Sequence, residues 1–182
     1  MHAGVEALLK LIAQHSISAD TIGEIELAVP TQNVSMVDRQ AAPTSRAATL
    51  GSGQYVMAVT ALRGKIDLAS FEDVYLHSEQ VRQLMAKVKV SASTELDRHF
   101  PKYWPGRVTV KLADGREHTE EIIAPKGESE NPMSREDIEE KFLGLAVPVL
   151  GDEQARAVVA EVQTLDARES LDALLALLVT AV

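Results

Sequence analysis

The chain has no cysteine. It can therefore form no disulfide, offer no thiolate nucleophile and ligate no zinc or iron–sulfur cluster through sulfur. A cluster-dependent mechanism resting on its own ligands is excluded. No apolar run approaches the roughly 18 residues of a membrane span, and no basic segment followed by an apolar core opens the chain. The cytoplasm is the default location, with no membrane partner. The net charge is −9, and no basic stripe interrupts it, which argues against nucleic acid. A small anionic substrate stays open, because a local cluster of Arg, Lys and His can reverse the field inside a cleft. GxSxG, HExxH, a carboxylate cluster at metal spacing, internal repeats and low-complexity tracts are all missing. Gly51-Ser52-Gly53 resembles a phosphate turn only superficially, since the Lys-Ser/Thr pair of a P-loop does not follow.

What is present is an ordinary globular composition over 182 residues, 46% apolar and 25% charged, enough for one large or two small domains. His2 to His15 has Val5, Leu8, Leu9 and Ile12 at helical spacing. Ile25, Leu27 and Val29 alternate with Glu24, Glu26 and Ala28, predicting a strand with one wet face that ends at Pro30. Thr31 to Thr49 has no period and reads as a long loop, a feature that in compact domains is usually functional or mobile. Gln54 to Arg63 predicts a helix stopped by Gly64, with Ser52 a suitable cap. A short helix over Ala69 to Leu76, another marked by Val81, Leu84, Met85 and Val88, and a strand over Lys89 to Glu95 follow. Val108, Val110 and Leu112, the Asp114-Gly115 turn and the return over Glu117 to Ile123 make a hairpin. His77, His99 and His118 lie on different elements without ligand spacing and read as surface positions.

The sharpest punctuation is APKGESENPMSREDIEEKF, Ala124 to Phe142. Ser134 opens a helix there with Asp137 three residues on, a capping-box pattern, and Ile138, Phe142, Leu145 and Val149 form one apolar face. Asp152 to Leu165 and Ala167 to Val179 predict two more helices, the second striped with Leu171, Leu174, Leu175 and Leu178. The fold class is α+β: a small antiparallel sheet of three to four strands with helices packed on it, followed by a C-terminal helical tail. Residues 1–133 form the first domain and 134–182 the tail.

PKG, a polar spacer, NPMS and an acidic helix ending in KF resemble the C-terminal region of the MmgE/PrpD family, the 2-methylcitrate dehydratase type of enzyme. Gly53-Gln54-Tyr55-Val56 with Leu62-Arg63-Gly64, SEQVRQLMAKV from Ser78 and FPKYWPGRVTVKL from Phe100 agree in the same order. The resemblance implies a small α+β lid domain whose family members carry a large helical domain, here expected from an N-terminal region or a separate chain. The tail helices would pack on that body or join a homodimer. It implies no cofactor and no metal. It also implies a lyase acting on a tricarboxylate-like acid, 2-methylcitrate dehydration first and a related decarboxylase or epimerase next, inactive as this chain alone. The matching Tyr and His of the family lie near its reacting groups, which makes Tyr55 and His2 the candidate catalytic residues, with Arg46 and Ser52 candidates for holding substrate carboxylates. The alternative is a non-catalytic binding or assembly module that keeps the lid fold.

Overall fold

The structure, a computed structural model, describes residues 1–179. It divides into two compact units, Met1–Asn131 and the residues from Pro132 onward. In chain order the first unit holds α1 (His2–His15), β1 (Ile22–Val29), α2 (Val34–Val37), α3 (Arg46–Leu50), α4 (Gly53–Arg63), α5 (Asp73–Leu76), α6 (Glu79–Met85), β2 (Val88–Ala92), α7 (Thr94–Asp97), β3 (Gly106–Leu112) and β4 (Glu117–Ile122). The second holds α8 (Arg135–Leu150), α9 (Asp152–Gln163) and α10 (Asp172–Leu177). No helix among the described residues is long and apolar enough to cross a membrane.

The expected α+β class with C-terminal helices holds. The four strands run in the order β2-β1-β3-β4. β1 pairs antiparallel with β3 and β3 with β4, while β1 and β2 are parallel, so the sheet is mixed rather than wholly antiparallel. The parallel pair follows from the connection between the two strands, which contains α4 and is long enough for a crossover. The periodless stretch from Thr31 is also more ordered than a loop, since α2, α3 and a 3-10 turn at Thr31–Asn33 fall within it. Each is a turn or so of helix, too short to show a period. The expected Ala69–Leu76 helix is two pieces, a 3-10 turn over Leu68–Phe71 and α5. The last leucine-rich helix is cut to α10, because a 3-10 turn at Leu165–Ala167 and an extended Arg168 precede it.

Strand alternation sorts the sheet into two faces. Ile25, Leu27, Val29, Val108, Val110 and Leu112 are buried in one core with Leu8 and Leu11 of α1 and Met57 and Val59 of α4. The opposite face is a cross-strand ladder of polar pairs. Glu24 bridges Lys89 and Lys111, Lys111 reaches Glu117, Ser91 donates to Glu26, and Thr109 meets Thr119 at 3.0 Å. Such pairs across neighbouring strands each contribute a few tenths of a kcal/mol, up to about 1. His118 falls on the helix side of β4, in register with Val110. Its ring stacks on His15 with centroids 3.8 Å apart, which corrects the reading of His118 as a plain surface residue.

α4 is buried along most of its length, which is why its sequence shows little amphipathic contrast. Ser52 caps its start, and Gly64, at φ 63°, takes the left-handed position at its end. Within it the Thr60 hydroxyl is buried and has no partner among the described residues. Replacing Thr60 with the isosteric valine removes that unpaired hydroxyl, and the variant should be about 1 kcal/mol more stable to urea.

Past Gly64, the carboxylate of Asp67 accepts from Ser70 N at 3.1 Å and the Ser70 hydroxyl accepts from Asp67 N, a closed capping box. Arg63 pairs with Asp67 and lies over the Tyr75 ring, 4.9 Å from its centroid. The Arg63 hydrogen bond, aided by Lys65, holds the Asp67 carboxyl well below the usual carboxylate range. A group so depressed stabilises the fold above its unfolded value of about 4 and loses that contribution as pH falls below it. Asp67→Asn removes this linkage. Urea melts stepped down in pH from about 4 should therefore show a shallower acid loss in the variant than in the wild type.

Candidate functional site

Leu27, fully buried in the central strand, places two helix starts side by side. A Cβ on Gly4 of α1 would fall 2.5 Å from Leu27 Cδ1, and one on Gly53 of α4 would fall 3.4 Å from Leu27 Cδ2. Both helices thus begin over the same end of the sheet. α1 also runs antiparallel to β4: Glu6 accepts from Lys126 N at 2.7 Å, Lys10 pairs with Glu120 at 3.7 Å, and His15 stacks on His118. Hence α1 is parallel to β3, and the two start together, a Cβ on Gly106 lying 2.9 Å from Gly4 N.

This end of the sheet holds two of the four sequence-based candidates. His2 is exposed in the first turn of α1. Ser52 is 1% exposed, and its hydroxyl accepts from Tyr55 N at 3.2 Å, so its acceptor already serves α4. Arg46 stands apart on α3, the short helix that leads into Ser52. It is exposed, and its guanidinium makes no hydrogen bond or ion pair among the described residues. Ser45 caps that helix, accepting from Ala48 N at 3.3 Å.

Tyr55 is 0% exposed, and its hydroxyl donates to the Ser70 carbonyl at 2.8 Å. Burial pushes its phenol up from the ordinary value, and its ring lies 6.4 Å from Phe71. The phenol thus ties α4 to the turn that follows it, and its proton is engaged by a backbone carbonyl.

Two neighbouring polar groups were not singled out from the sequence. Gln54, 5% exposed, accepts from Arg39 N at 2.9 Å and donates to Asp38 at 2.5 Å. It fixes the segment after α2 to the first turn of α4. A polar side chain at the second position of an otherwise apolar helix was the available signal. Arg107, next to Gly106, pairs with Glu95 at 2.9 Å and donates to Ser93 at 3.0 Å. A third partner, Glu121 at 3.7 Å, is its cross-strand neighbour on β4, whereas Glu95 and Ser93 come from the α7 region, beyond the reach of strand alternation. No group of three or more His, Asp or Glu among the described residues is placed to hold a metal ion.

Chemically, this end of the sheet offers one exposed imidazole, His2 at the start of α1, while the first turn of α4 is buried and capped by Ser52.

The model of the MmgE/PrpD C-terminal domain matches residues 1–167. The chain belongs to the MmgE/PrpD family. It is 30% identical to cis-aconitate decarboxylase of Homo sapiens over 169 residues, which are 92% of this chain and 34% of that protein. It is 30% identical to cis-aconitate decarboxylase of Mus musculus over 160 residues, 88% of this chain and 32% of that protein. The corresponding Aspergillus terreus enzyme is 33% identical over 138 residues, 75% of this chain and 28% of its own length. The chain spans about a third of the length of these curated relatives. Their names attach cis-aconitate and decarboxylation to those relatives, in place of the 2-methylcitrate dehydration that the sequence likeness put first. The MmgE/PrpD match runs through both units of this chain, from α1 past α9.

Proposed function

We propose that unit 1 is the lid of an MmgE/PrpD lyase acting on an unsaturated tricarboxylate, with decarboxylation of cis-aconitate the leading reaction and dehydration of 2-methylcitrate the second. The observation that carries this reading is the meeting of the α1 and α4 starts over Leu27, with His2 exposed at that end. The names of the relatives support decarboxylation over dehydration. In such a decarboxylation the carbon–carbon bond to the departing CO2 breaks, and its electron pair passes into a delocalised carbanion. A general acid must then return one proton to carbon. His2, exposed at the start of α1, is the residue of this chain suited to deliver it. The remaining acid, base and cationic groups come from a helical body that completes the cavity, either within a longer polypeptide or as a separate chain. Tyr55 and Ser52 act from behind the surface by holding α4 in place.

The coding sequence on either side of Met1 identifies that body, and co-expression provides the assembled protein to assay. Release of CO2 from cis-aconitate, reduced on the order of 100-fold or more in a His2→Gln variant, is the expected result. Water loss from 2-methylcitrate without CO2 release from cis-aconitate would reverse the order of the two reactions. An assembled protein that binds neither acid would overturn the lyase reading in favour of an assembly module.

A further inference from the structure

Unit 1 holds a cavity of about 300 Å³ that neither His2, Arg46, Ser52 nor Tyr55 lines. It lies between the loop ahead of α3 and the α5–α6 pair, and its volume is at the lower end for small-molecule sites. Its floor is apolar and belongs to the core: Val81 is 1% exposed, and Leu76 and Met85 pack against the buried cluster. The facing wall, Ala42 to Thr44, is held at both ends. Upstream, Gln54 fixes Asp38 and Arg39 to α4, and downstream Ser45 caps α3. The cavity is therefore preformed.

Polar groups enter it from one side. His77, just past α5, and Arg82 of α6 both line it, and Thr44 adds a hydroxyl. No acidic residue lines it among the described residues. The acid that touches Arg82 is Glu79, which takes one guanidinium nitrogen, Nη1, at 3.1 Å and also accepts from Gln83. Arg82 and Glu79 are both mostly exposed, and an ion pair of that kind contributes little. The Arg82 Nε and Nη2 take no protein partner among the described residues. Glu72 and Asp73 open α5 at its other end, and neither lines the cavity.

We propose that this cavity binds a small organic monocarboxylate, its short apolar body over Leu76, Val81 and Met85 and its carboxylate on the open guanidinium edge of Arg82. The planar fork of an arginine matches the two oxygens of a carboxylate, and His77 and Thr44 supply further donors. A floor of apolar side chains beside one guanidinium leaves two carboxylates of a tricarboxylate unpaired, so the cavity is not a second seat for the substrate proposed above. The inference is independent of the reaction proposed for unit 1.

The test is a titration of the full chain, carrying methyl-labelled methionine, with sodium hexanoate, read by NMR at the Met85 methyl. The expected result is a saturable shift that acetate, hexylamine and cis-aconitate do not produce at the same concentrations, with a dissociation constant raised about tenfold in Arg82→Gln. Arg82 is exposed, so the ligand-free methionine spectrum of the variant should match that of the wild type, which separates lost binding from lost fold. No saturable shift at Met85 up to high millimolar hexanoate would overturn the proposal. So would a shift that hexylamine reproduces, or one unchanged in Arg82→Gln. A stronger response to cis-aconitate than to hexanoate would also overturn it, by handing the cavity to the proposed substrate.

Discussion

Replacing Tyr55 with alanine should lower the unfolding free energy by about 3–5 kcal/mol, the usual cost of deleting a fully buried ring. The ring is enclosed by the core of unit 1, and its hydroxyl is the donor to the Ser70 carbonyl. Tyr55→Phe separates the two contributions. It keeps the ring and leaves that carbonyl without its donor, at a cost of about 1–2 kcal/mol. Urea denaturation followed by circular dichroism measures both variants. The assembled enzyme supplies the functional half of the comparison. If the phenol serves only the fold, Tyr55→Phe lowers the midpoint of unfolding and leaves kcat and KM as they were. A large fall in kcat with unchanged stability would instead return Tyr55 to the reacting groups, where the family likeness had placed it.

Gly106→Ala should have the second large effect. The new methyl would lie 2.9 Å from Gly4 N and 3.4 Å from the Ala3 Cβ, so it meets backbone rather than a side chain that can swing away. Relief requires α1 and β3 to separate at their starts. Overpacking of this kind costs about 1–3 kcal/mol, to be read from the same denaturation curves. The position of the strain makes the variant informative, because α1 carries His2 two residues before Gly4. If His2 donates the proton, Gly106→Ala should lower kcat in the assembled enzyme well beyond what its loss of folded protein explains. Lys111→Ala, at the far end of the same strand, serves as the control and should leave kcat alone.

Local chemistry made much of this fold legible. Ser52 and Gly64 mark the two ends of α4 because each satisfies a backbone need that can be read one residue at a time. The Ser134–Asp137 box is closed on both sides, Asp137 N donating to Ser134 at 3.2 Å and Ser134 N to Asp137 at 2.8 Å. The Asp114-Gly115 turn likewise fixes the hairpin, with Gly115 at φ 90°. What escaped depends on distant partners. Nothing local to Val88–Ala92 says that it lies parallel to β1. Nothing near Tyr55 says that its hydroxyl will find the carbonyl of Ser70. His118 was within reach, since strand parity puts it on the same side as Ile122. For the site, the likeness pointed to both Tyr55 and His2, and only the folded chain separates an exposed imidazole from a buried phenol.

β1 lies in the middle of the sheet, yet both of its neighbours come from far along the chain: Ile25 faces Val88 on one side and Val110 on the other. The β3–β4 hairpin can close through its own tight turn, whereas β1 must wait for two large loops to be drawn in, an entropic cost that precedes any gain from pairing. Assembly of unit 1 is therefore expected to nucleate at the hairpin and to finish with the insertion of β1. During synthesis α1 and β1 emerge before either strand that pairs with β1, an interval in which an apolar helix and strand depend on chaperones or on speed.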